Sequence, residues 1–591
     1  MDFATAFWSV LCSQPRRALA ALYWRMTGRK IRARNRLRIG LAQHPDSYRH
    51  WMQRVERLDT VIADAPIAMS QWTHRPLFSI LLSQDEGLDQ ATLDALAADL
   101  EMQVYPMWEL VVVPQLGADT LTGKEPRSRV ADRPATDGGQ ALRAAALLAR
   151  GDYFVPLFPG IQLAKTALYR YAEALQTNPD IDLLFGDHDE IDDIGKRQQP
   201  WFKPEWNAEL VLAQDYVSQA IAVSARAARS QFDRDLPGGN AAAAYSLALE
   251  IAASPHATVR HIPHIQAHHR LAMATPDMTE RLAVVRDYLS RYGAPDAEAS
   301  AAAHGTIRVN WPLPPALPSV SIIIPTRDRI DLLKACLSSL EARTSYHPRE
   351  IIVVDNGSVQ PESLAYLQEI ADFEGVSVIR DERPYNFSQL NNLAVSAAKG
   401  DYLCLLNNDT EVIDGNWLTA MMRQAVRPQV GAVGAKLLYD DGSIQHAGVI
   451  VGMGDAAGHA HRFQKKDAVG YFARTHAAHY VSAVTAACLV VEKRKYLKVG
   501  GLDETRFAVA FNDVDLCLKL EKAGWRNVYT PHATLVHHES KSRGRDFSPQ
   551  HIERYRSELK TLQERWGSVD YQDPLHHTHL DRASEQYLIR L

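Results

Sequence analysis

No apolar run in the 591 residues approaches the roughly 18 residues that a bilayer-spanning helix needs, so no transmembrane helix is expected. Cysteine is scarce. Cys12, Cys336, Cys404, Cys488 and Cys517 show no C-x-x-C spacing. That excludes a disulfide framework and a zinc ribbon, and the five read as buried thiols in a reducing compartment. No G-x-G-x-x-G follows any strand, which argues against a dinucleotide enzyme. The chain has no overall basic excess either: its net charge is −5, which does not suit nucleic acid. Basic residues follow rather than precede the short apolar stretch at the N-terminus, so no cleavable signal is expected. Together these absences predict a cytoplasmic protein. What remains is ordinary globular material, 46% hydrophobic and 23% charged, long enough for three or more domains.

One local imbalance stands out. Arg16, Arg17, Arg25, Arg29, Lys30, Arg32, Arg34, Arg36 and Arg38 occur with no acid among them, beside an apolar and aromatic set that includes Trp8, Leu19, Tyr23 and Trp24. This is the pattern of an interfacial helix on an anionic membrane, or of a basic helix packed on the body of the protein. Each basic residue near an anionic surface contributes about 1 kcal/mol of attraction.

Residues 1–74 read as helical. From Arg75 onward short apolar runs alternate with helical stretches, the signature of a mostly parallel α/β sheet. Residues 276–318 hold a helix and then "WPLPPALPSV", which reads as an extended spacer. The α/β pattern then restarts over 319–545, and a helical tail is expected over 546–591. The two α/β stretches, 75–275 and 319–545, are copies of each other. "ARGDYFVPLFPGIQL" sits beside "AKGDYLCLLNNDTEV", "YPMWELVVVPQLG" beside "YHPREIIVVDNGS", and "IPHIQAHHR" beside "TPHATLVHHES". The first copy lacks the polar residues of the second. Pro114 stands for Asp355, Phe158-Pro159-Gly160 for Asn407-Asn408-Asp409, and Ala243-Ala244 fall near the place of Asn512-Asp513.

In the second copy, polar residues gather where strands should end: Thr326, Arg327 and Asp328, then Asp355, then Asn407, Asn408 and Asp409. The carboxyl ends of parallel strands form the ligand crevice of an open α/β sheet. The Asn-Asn-Asp tip is either a plain turn or a divalent-cation site built from hard oxygen ligands. Further on, Asn512 reads as a helix N-cap with Asp513 and Asp515 in the first turn, and "VHHES" offers His537 and His538 as metal ligands. Asp187, Asp189 and Asp192 in the first copy have the look of a replacement metal cluster, but acids in a hydrophilic turn are more often solvated, and solvated acids are the expectation here.

The strings "SVSIIIPTRDR", "EIIVVDNGS", "NFSQLNNLAVSAAKGDYLCLLNNDTEV", "FNDVDLCLKLEKAGW" and "VHHESKSRG", in this order, resemble the family-2 glycosyltransferases, and within them the two-domain bacterial O-antigen and capsule enzymes similar to rhamnosyltransferases. The resemblance implies two tandem GT-A nucleotide-sugar folds, the first degenerate. It implies that Asp355 contacts the base of a UDP- or dTDP-linked donor, with Thr326, Asp328, Asn392 and Asn408 also holding the nucleotide sugar. Asn407, Asp409 and His537 would hold Mn²⁺ or Mg²⁺, with His538 as the fallback ligand. Asp513 matches the catalytic base, while Asn512 replaces the family's glutamate. The tail "DPLHHTHL" departs from the family's usual Asp-Pro, aromatic, Asn-Pro-Asn ending. The implied activity is inverting, metal-dependent sugar transfer to a lipid-linked or polysaccharide acceptor at the inner face of the cytoplasmic membrane. Rivals are a non-catalytic scaffold with both copies decayed, a transferase with both copies active, and a nucleotidyltransferase, which "IIIPTRDR" disfavours for want of a glycine-rich loop.

Overall fold

The computed structural model describes residues 3–28, 30–44, 46–83, 88–116, 127–158, 160–234, 236–270, 277–292, 294–538 and 552–591. Two large mixed sheets dominate it. The first runs, edge to edge, through Ser128–Val130, Trp108–Val113, Phe78–Ser83, Tyr153–Leu157, Ile221–Ser224, Leu183–Ile191, Val259–Arg270 and Ile161–Leu163. The second runs through Val376–Arg380, Arg349–Asp355, Val320–Thr326, Tyr402–Leu406, Cys488–Glu492, Val430–Leu438, Arg526–His537 and Thr410–Val412. Numbered along the chain, the two orders are the same position for position. In each, four parallel strands meet an antiparallel fifth, and a three-residue strand pairs antiparallel with the end of the longest one. The central strands Phe78–Ser83 and Val320–Thr326 are buried along their whole length, as strands covered on both faces must be.

Three helices, Phe3–Ser13, Pro15–Met26 and Lys30–Ala42, pack on one another through Ala6, Val10, Ala18, Ala21, Leu37 and Leu41. Leu19, Tyr23 and Met26, at i, i+4 and i+7, lie exposed on the second helix, as does Trp8 on the first. Small and aliphatic residues close the bundle, and Trp8, Leu19, Tyr23 and Met26 are left outside it. Cys12 is exposed, unlike the four buried cysteines, because it faces away from that bundle.

The spacer is pinned rather than loose. It follows a hairpin, Glu298–Ala301 against Ile307–Asn310, that the sequence pattern does not announce. Trp311 then donates from Nε1 to Glu209 of the first half, and the Arg427 guanidinium of the second half lies 3.9 Å over its ring. Glu209 is buried and also accepts from Arg427 at 2.6 Å and from Gln424 at 3.0 Å. Trp201 stacks flat on Phe472 at 4.2 Å across the same junction.

Two expectations need correction. Asp187 and Asp189 are not solvated: both are fully buried on the strand Leu183–Ile191. Burial is tolerated because each is partnered. Asp189 takes Tyr48, Arg197 and His268, and Asp187 takes the Lys203 amide and His261. Only Asp192 sits in a turn, accepting from the amides of Ile194 and Lys196. Among the described residues of the tail, only Ile552–Trp566 are helical. Residues 567–591 are irregular because their hydrogen bonds go to other segments: Asp573 accepts from Ser482 and the Val451 amide, and Arg582 donates to the Gly452 carbonyl. Tail residues Leu580 and Tyr587 complete a cluster with Tyr48 and Trp51, with Phe202 and Ile265, and with Ile450 and Met453. That cluster joins the N-terminal helices, both halves and the tail.

Glu209→Ala would strand a buried guanidinium between the halves. The expected cost is about 3–5 kcal/mol, read as a lower urea midpoint by circular dichroism, whereas Glu564→Ala, in a pair with Lys560 whose two side chains are both exposed, should change it little.

Candidate active site at the strand tips

Strands Val320–Thr326, Arg349–Asp355 and Tyr402–Leu406 are parallel neighbours, with Thr326 in register with Asp355, so their carboxyl ends open on one crevice. Thr326 and Asn408 are tied across it, the Asn408 amide donating to the Thr326 hydroxyl at 2.9 Å. Asp355 is buried. It accepts from the Ser358 amide at 2.9 Å and from Arg380 at 2.5 Å. Asp328 lies at φ +48° and accepts from the amides of Val359 and Gln360, which braces the loop after Asp355 against the end of the first strand. Asn392 is engaged elsewhere. Its amide donates to the Leu502 carbonyl and its oxygen accepts from Tyr496, so it holds the 500-loop.

The Asn-Asn-Asp tip meets the end of the strand Arg526–His537. Thr410 pairs with His537, which brings His537 Nε2 to 3.1 Å from Asp409 Oδ1 and to 3.1 Å from the Asn407 amide. His537 Nδ1 lies 2.7 Å from Gln445 Oε1, an acceptor, so Nδ1 carries the ring proton and Nε2 presents its lone pair. The Asn407 side-chain N–H donates to that lone pair, and Asp409 Oδ1 lies 3.1 Å from the same nitrogen, so an imidazole nitrogen and a carboxylate oxygen converge at the tip. One imidazole, one carboxylate and one amide, with the imidazole oriented from behind by Gln445, suit Mn²⁺ better than Mg²⁺. His538 is not available for this role: its two ring nitrogens contact Asp440 and Glu411. Glu539 and Ser540 lie outside the described residues. Arg329, at φ +44°, is near enough to Asp409 for their charges to act on each other.

Asp513 reaches the same tip by a short relay. Its Oδ2 accepts from the Ala486 amide at 3.1 Å, and the Ala487 carbonyl accepts from the Asn407 amide at 3.0 Å. Burial pushes the Asp513 carboxyl above the ordinary aspartate value, and the amides of Ala486 and Val514 only partly offset this. Asn512 is not the helix cap: the helix starts at Asn512, preceded by Phe511 at φ +61°, and the Asn512 amide donates back to the Val509 carbonyl. A bulky residue in the left-handed region is strained, and such strain persists only where its surroundings enforce it. Here Tyr555 packs on the Phe511 ring, and Glu558 accepts from the amides of Val509 and Ala510. Asp515 points the other way. It is fully buried against Trp566 Nε1, Lys519 and Arg565 and anchors the C-terminal helix.

Sequence reasoning did not find Gln445, Arg380, Ala486 or Glu558. None has a spacing signal, because each acts through a contact between segments distant along the chain.

In the first sheet the same place is apolar. Ile161 pairs with His269 as Thr410 pairs with His537, so Phe158 and Gly160 stand where Asn407 and Asp409 do. Pro159 lies outside the described residues. Counted from the helix start at Asn240, Ala241 rather than Ala243 or Ala244 takes the place of Asp513; the carboxylate is absent in either register.

Residues 321–486 match the family model described as Glycosyl transferase family 2. The chain is 37% identical to the uncharacterized protein y4gI of Sinorhizobium fredii over 87% of its own length and 58% of that protein's. It is 34% identical to the O-antigen biosynthesis protein RfbC of Myxococcus xanthus, over 83% of this chain and 39% of that one. Over 36% of its length, and 74% of the relative's, it is 28% identical to an N-acetylglucosaminyl-diphospho-decaprenol L-rhamnosyltransferase of Mycobacterium tuberculosis. The chain thus spans only about two-fifths to three-fifths of the first two relatives. The crevice with its Asn-Asn-Asp tip lies inside the matched segment, and the chain carries a glycosyltransferase family 2 domain.

Proposed function

We propose that the chain transfers a sugar, with inversion, from a nucleotide-diphosphate donor to a growing surface polysaccharide or its lipid-linked precursor. The observation that carries this reading is the approach of His537 Nε2 to Asp409 at one strand tip, with Asp513 one short relay away. Asn407, Asp409 and His537 would hold a divalent ion, Mn²⁺ before Mg²⁺. When bound, such an ion neutralises charge on the leaving diphosphate.

The chain's own residues divide the remaining work. Thr326, Asp355 and Asn408 line the crevice for the nucleoside, and Asp328 keeps its loop in place. Arg329 adds positive charge beside Asp409. Asp513 accepts the proton of the acceptor hydroxyl as that oxygen attacks the anomeric carbon. A carboxylate with a raised pKa is a stronger base than an ordinary one, so burial improves its match to a hydroxyl. One base and, among the described residues, no second carboxylate placed as nucleophile gives a single displacement and hence inversion.

Within this reading the two sheets are tandem GT-A-like units, 75–275 and 319–545, and the first does no chemistry. Its tip offers Phe158 and Gly160, and Pro114 stands where Asp355 does, so neither cation nor base has a partner there. Its place is to pack on the second unit, through Glu209 and Trp201. The O-antigen role of RfbC and the lipid-linked substrate in the mycobacterial relative's name support an acceptor of that class for this chain. Leu19, Tyr23 and Met26, exposed beside Arg16 and Arg25, support contact of the N-terminal helices with the anionic inner face of the cytoplasmic membrane, where such an acceptor would sit. No described helix is long and apolar enough to cross a membrane.

Three outcomes test the proposal. Asp513→Asn should lower turnover by about 10²–10⁴-fold while leaving the melting temperature equal or higher. The sign follows from its raised folded pKa: the charged form costs stability above that pKa, the cost disappears as pH falls through it, and Asn removes it. For the same reason the acid limb of wild-type turnover should lie above that of an ordinary aspartate. Asp515→Asn should do the reverse, keeping most turnover but lowering the melting temperature. Near-normal transfer by a folded Asp513→Asn protein removes it as the base.

EDTA should abolish hydrolysis across a panel of nucleotide sugars, and Mn²⁺ should restore it. Asp409→Ala and His537→Ala should each weaken donor binding by calorimetry. Full hydrolysis in chelator would reduce the tip to a turn.

Deleting residues 1–40 should release the protein from liposomes rich in anionic lipid in flotation, with donor hydrolysis intact. A full-length chain that fails to float at low salt would make the basic helices a structural face only.

A further inference from the structure

We propose that Asp187, His261 and His577 form a second metal site, separate from the strand tip, which binds one Zn²⁺-like ion and fastens the C-terminal tail to the first half. One ligand atom from each lies within 4.8 Å of the other two. His261 Nε2 is 2.9 Å from Asp187 Oδ1, and His577 Nε2 is 2.9 Å from Asp187 Oδ2; the three side chains are at most 2% exposed. Asp187 sits at a register break between the strands Leu183–Ile191 and Val259–Arg270, the kind of irregularity that re-aims a side chain.

The sharing of one carboxylate is the feature that carries the proposal. His261 Nε2 and His577 Nε2 approach different oxygens of Asp187, so three ligand atoms from three separate segments converge in a space closed to water. In an ion-filled site each ligand points at a common position about 2.0–2.1 Å away. The surroundings fit the same picture. The Lys203 amide donates to Asp187 Oδ1 at 2.8 Å, Glu205 lies 3.9 Å behind His261 Nδ1, and Phe185 and Phe202 stack on the two imidazoles. Two imidazoles and one carboxylate select a borderline ion such as Zn²⁺ over Mg²⁺ or Ca²⁺.

One contact favours a rival. The His579 amide donates to His577 Nδ1 at 3.0 Å, which favours a proton on Nε2. The rival is therefore a proton between His577 and Asp187 in place of the ion. The site explains why the tail carries histidines in "DPLHHTHL": His577 supplies the third ligand from the segment that crosses the four-way cluster. Because the other two ligands come from the first half, an ion here would link tail docking to metal supply.

The test uses the full-length Asp409→Ala/His537→Ala protein, which disables the strand-tip site. After incubation with Zn²⁺ and desalting, mass spectrometry should find about one zinc per chain, as one closed site requires. Adding His577→Gln or Asp187→Asn should remove it, and chelation should make the tail newly sensitive to limited proteolysis. Because those variants could misfold, X-ray absorption at the zinc edge of the parent protein gives an independent reading. It should show nitrogen and oxygen at about 2.0–2.1 Å with imidazole scattering. No retained zinc, no imidazole in the shell, or undiminished zinc in a folded His577→Gln chain would overturn the proposal in favour of the shared proton.

Discussion

Between Leu406 and Thr410 the chain has three residues in which to leave a central strand and pair with the far end of Arg526–His537. The long strand also breaks register against Val430–Leu438 between Ala435 and Lys436, the kind of irregularity that bends a strand. Whatever residues fill the gap are then held against residue 537, close to the sheet and largely out of water. Asn407, Asn408 and Asp409 fill it here, and His537 meets them. The neighbouring features serve this arrangement. Gln445 fixes the imidazole, Ala487 fixes the Asn407 backbone, and Ala486 holds Asp513 within the same frame.

The first half repeats that constraint with other side chains. Its strand Val259–Arg270 also breaks register, and a three-residue gap again ends in a short strand paired to its far end. The gap holds Phe158 and Gly160, and His269, the counterpart of His537, stacks on His188 at 4.1 Å. The backbone solution therefore does not depend on a polar tip. It needs only the strand order and the bulge, while the chemistry resides in a few side chains laid over them. This is why a sheet of the same order can serve as packing in one half and line a crevice in the other.

Much of this was legible in the sequence, for a physical reason. Strands buried on both faces are apolar runs that cannot be mistaken for surface, so "FSILLS", "WELVVV" and "SVSIIIPT" announce themselves. Tip residues are legible because a polar cluster directly after such a run is unusual. What was not legible depends on contacts between distant segments. Asp187 and Asp189 look like a hydrophilic turn until His261, Arg197 and Tyr48 arrive from other segments to bury them. Asn392 looks like a donor contact until Leu502 and Tyr496 occupy it. Asn512 has the residue type of an N-cap, yet Glu558 and Tyr555 hold the preceding turn so that Phe511 takes that position. In each case local propensity was overridden by a partner that no spacing rule could supply.

The C-terminal segment gathers these long-range partners. Its helix carries Glu558, which holds the amides two and three residues before Asn512, and Trp566, which closes on Asp515 one turn inside the same helix. Both sides of the helix start that presents Asp513 are thus fixed from the tail. Beyond the helix, Asp573 accepts from Ser482 and the Val451 amide, and His579 reaches the Pro263 carbonyl of the first half. A tail that grips the second half with Asp573 and the first half with His577 and His579 couples the two rigid sheets across the cluster of Trp51, Phe202 and Leu580. Under the proposed function, the first half then has a physical part in the work of the second without chemistry of its own. It is the anchorage for the segment that keeps the strained turn at Phe511, and through it Asp513, in place.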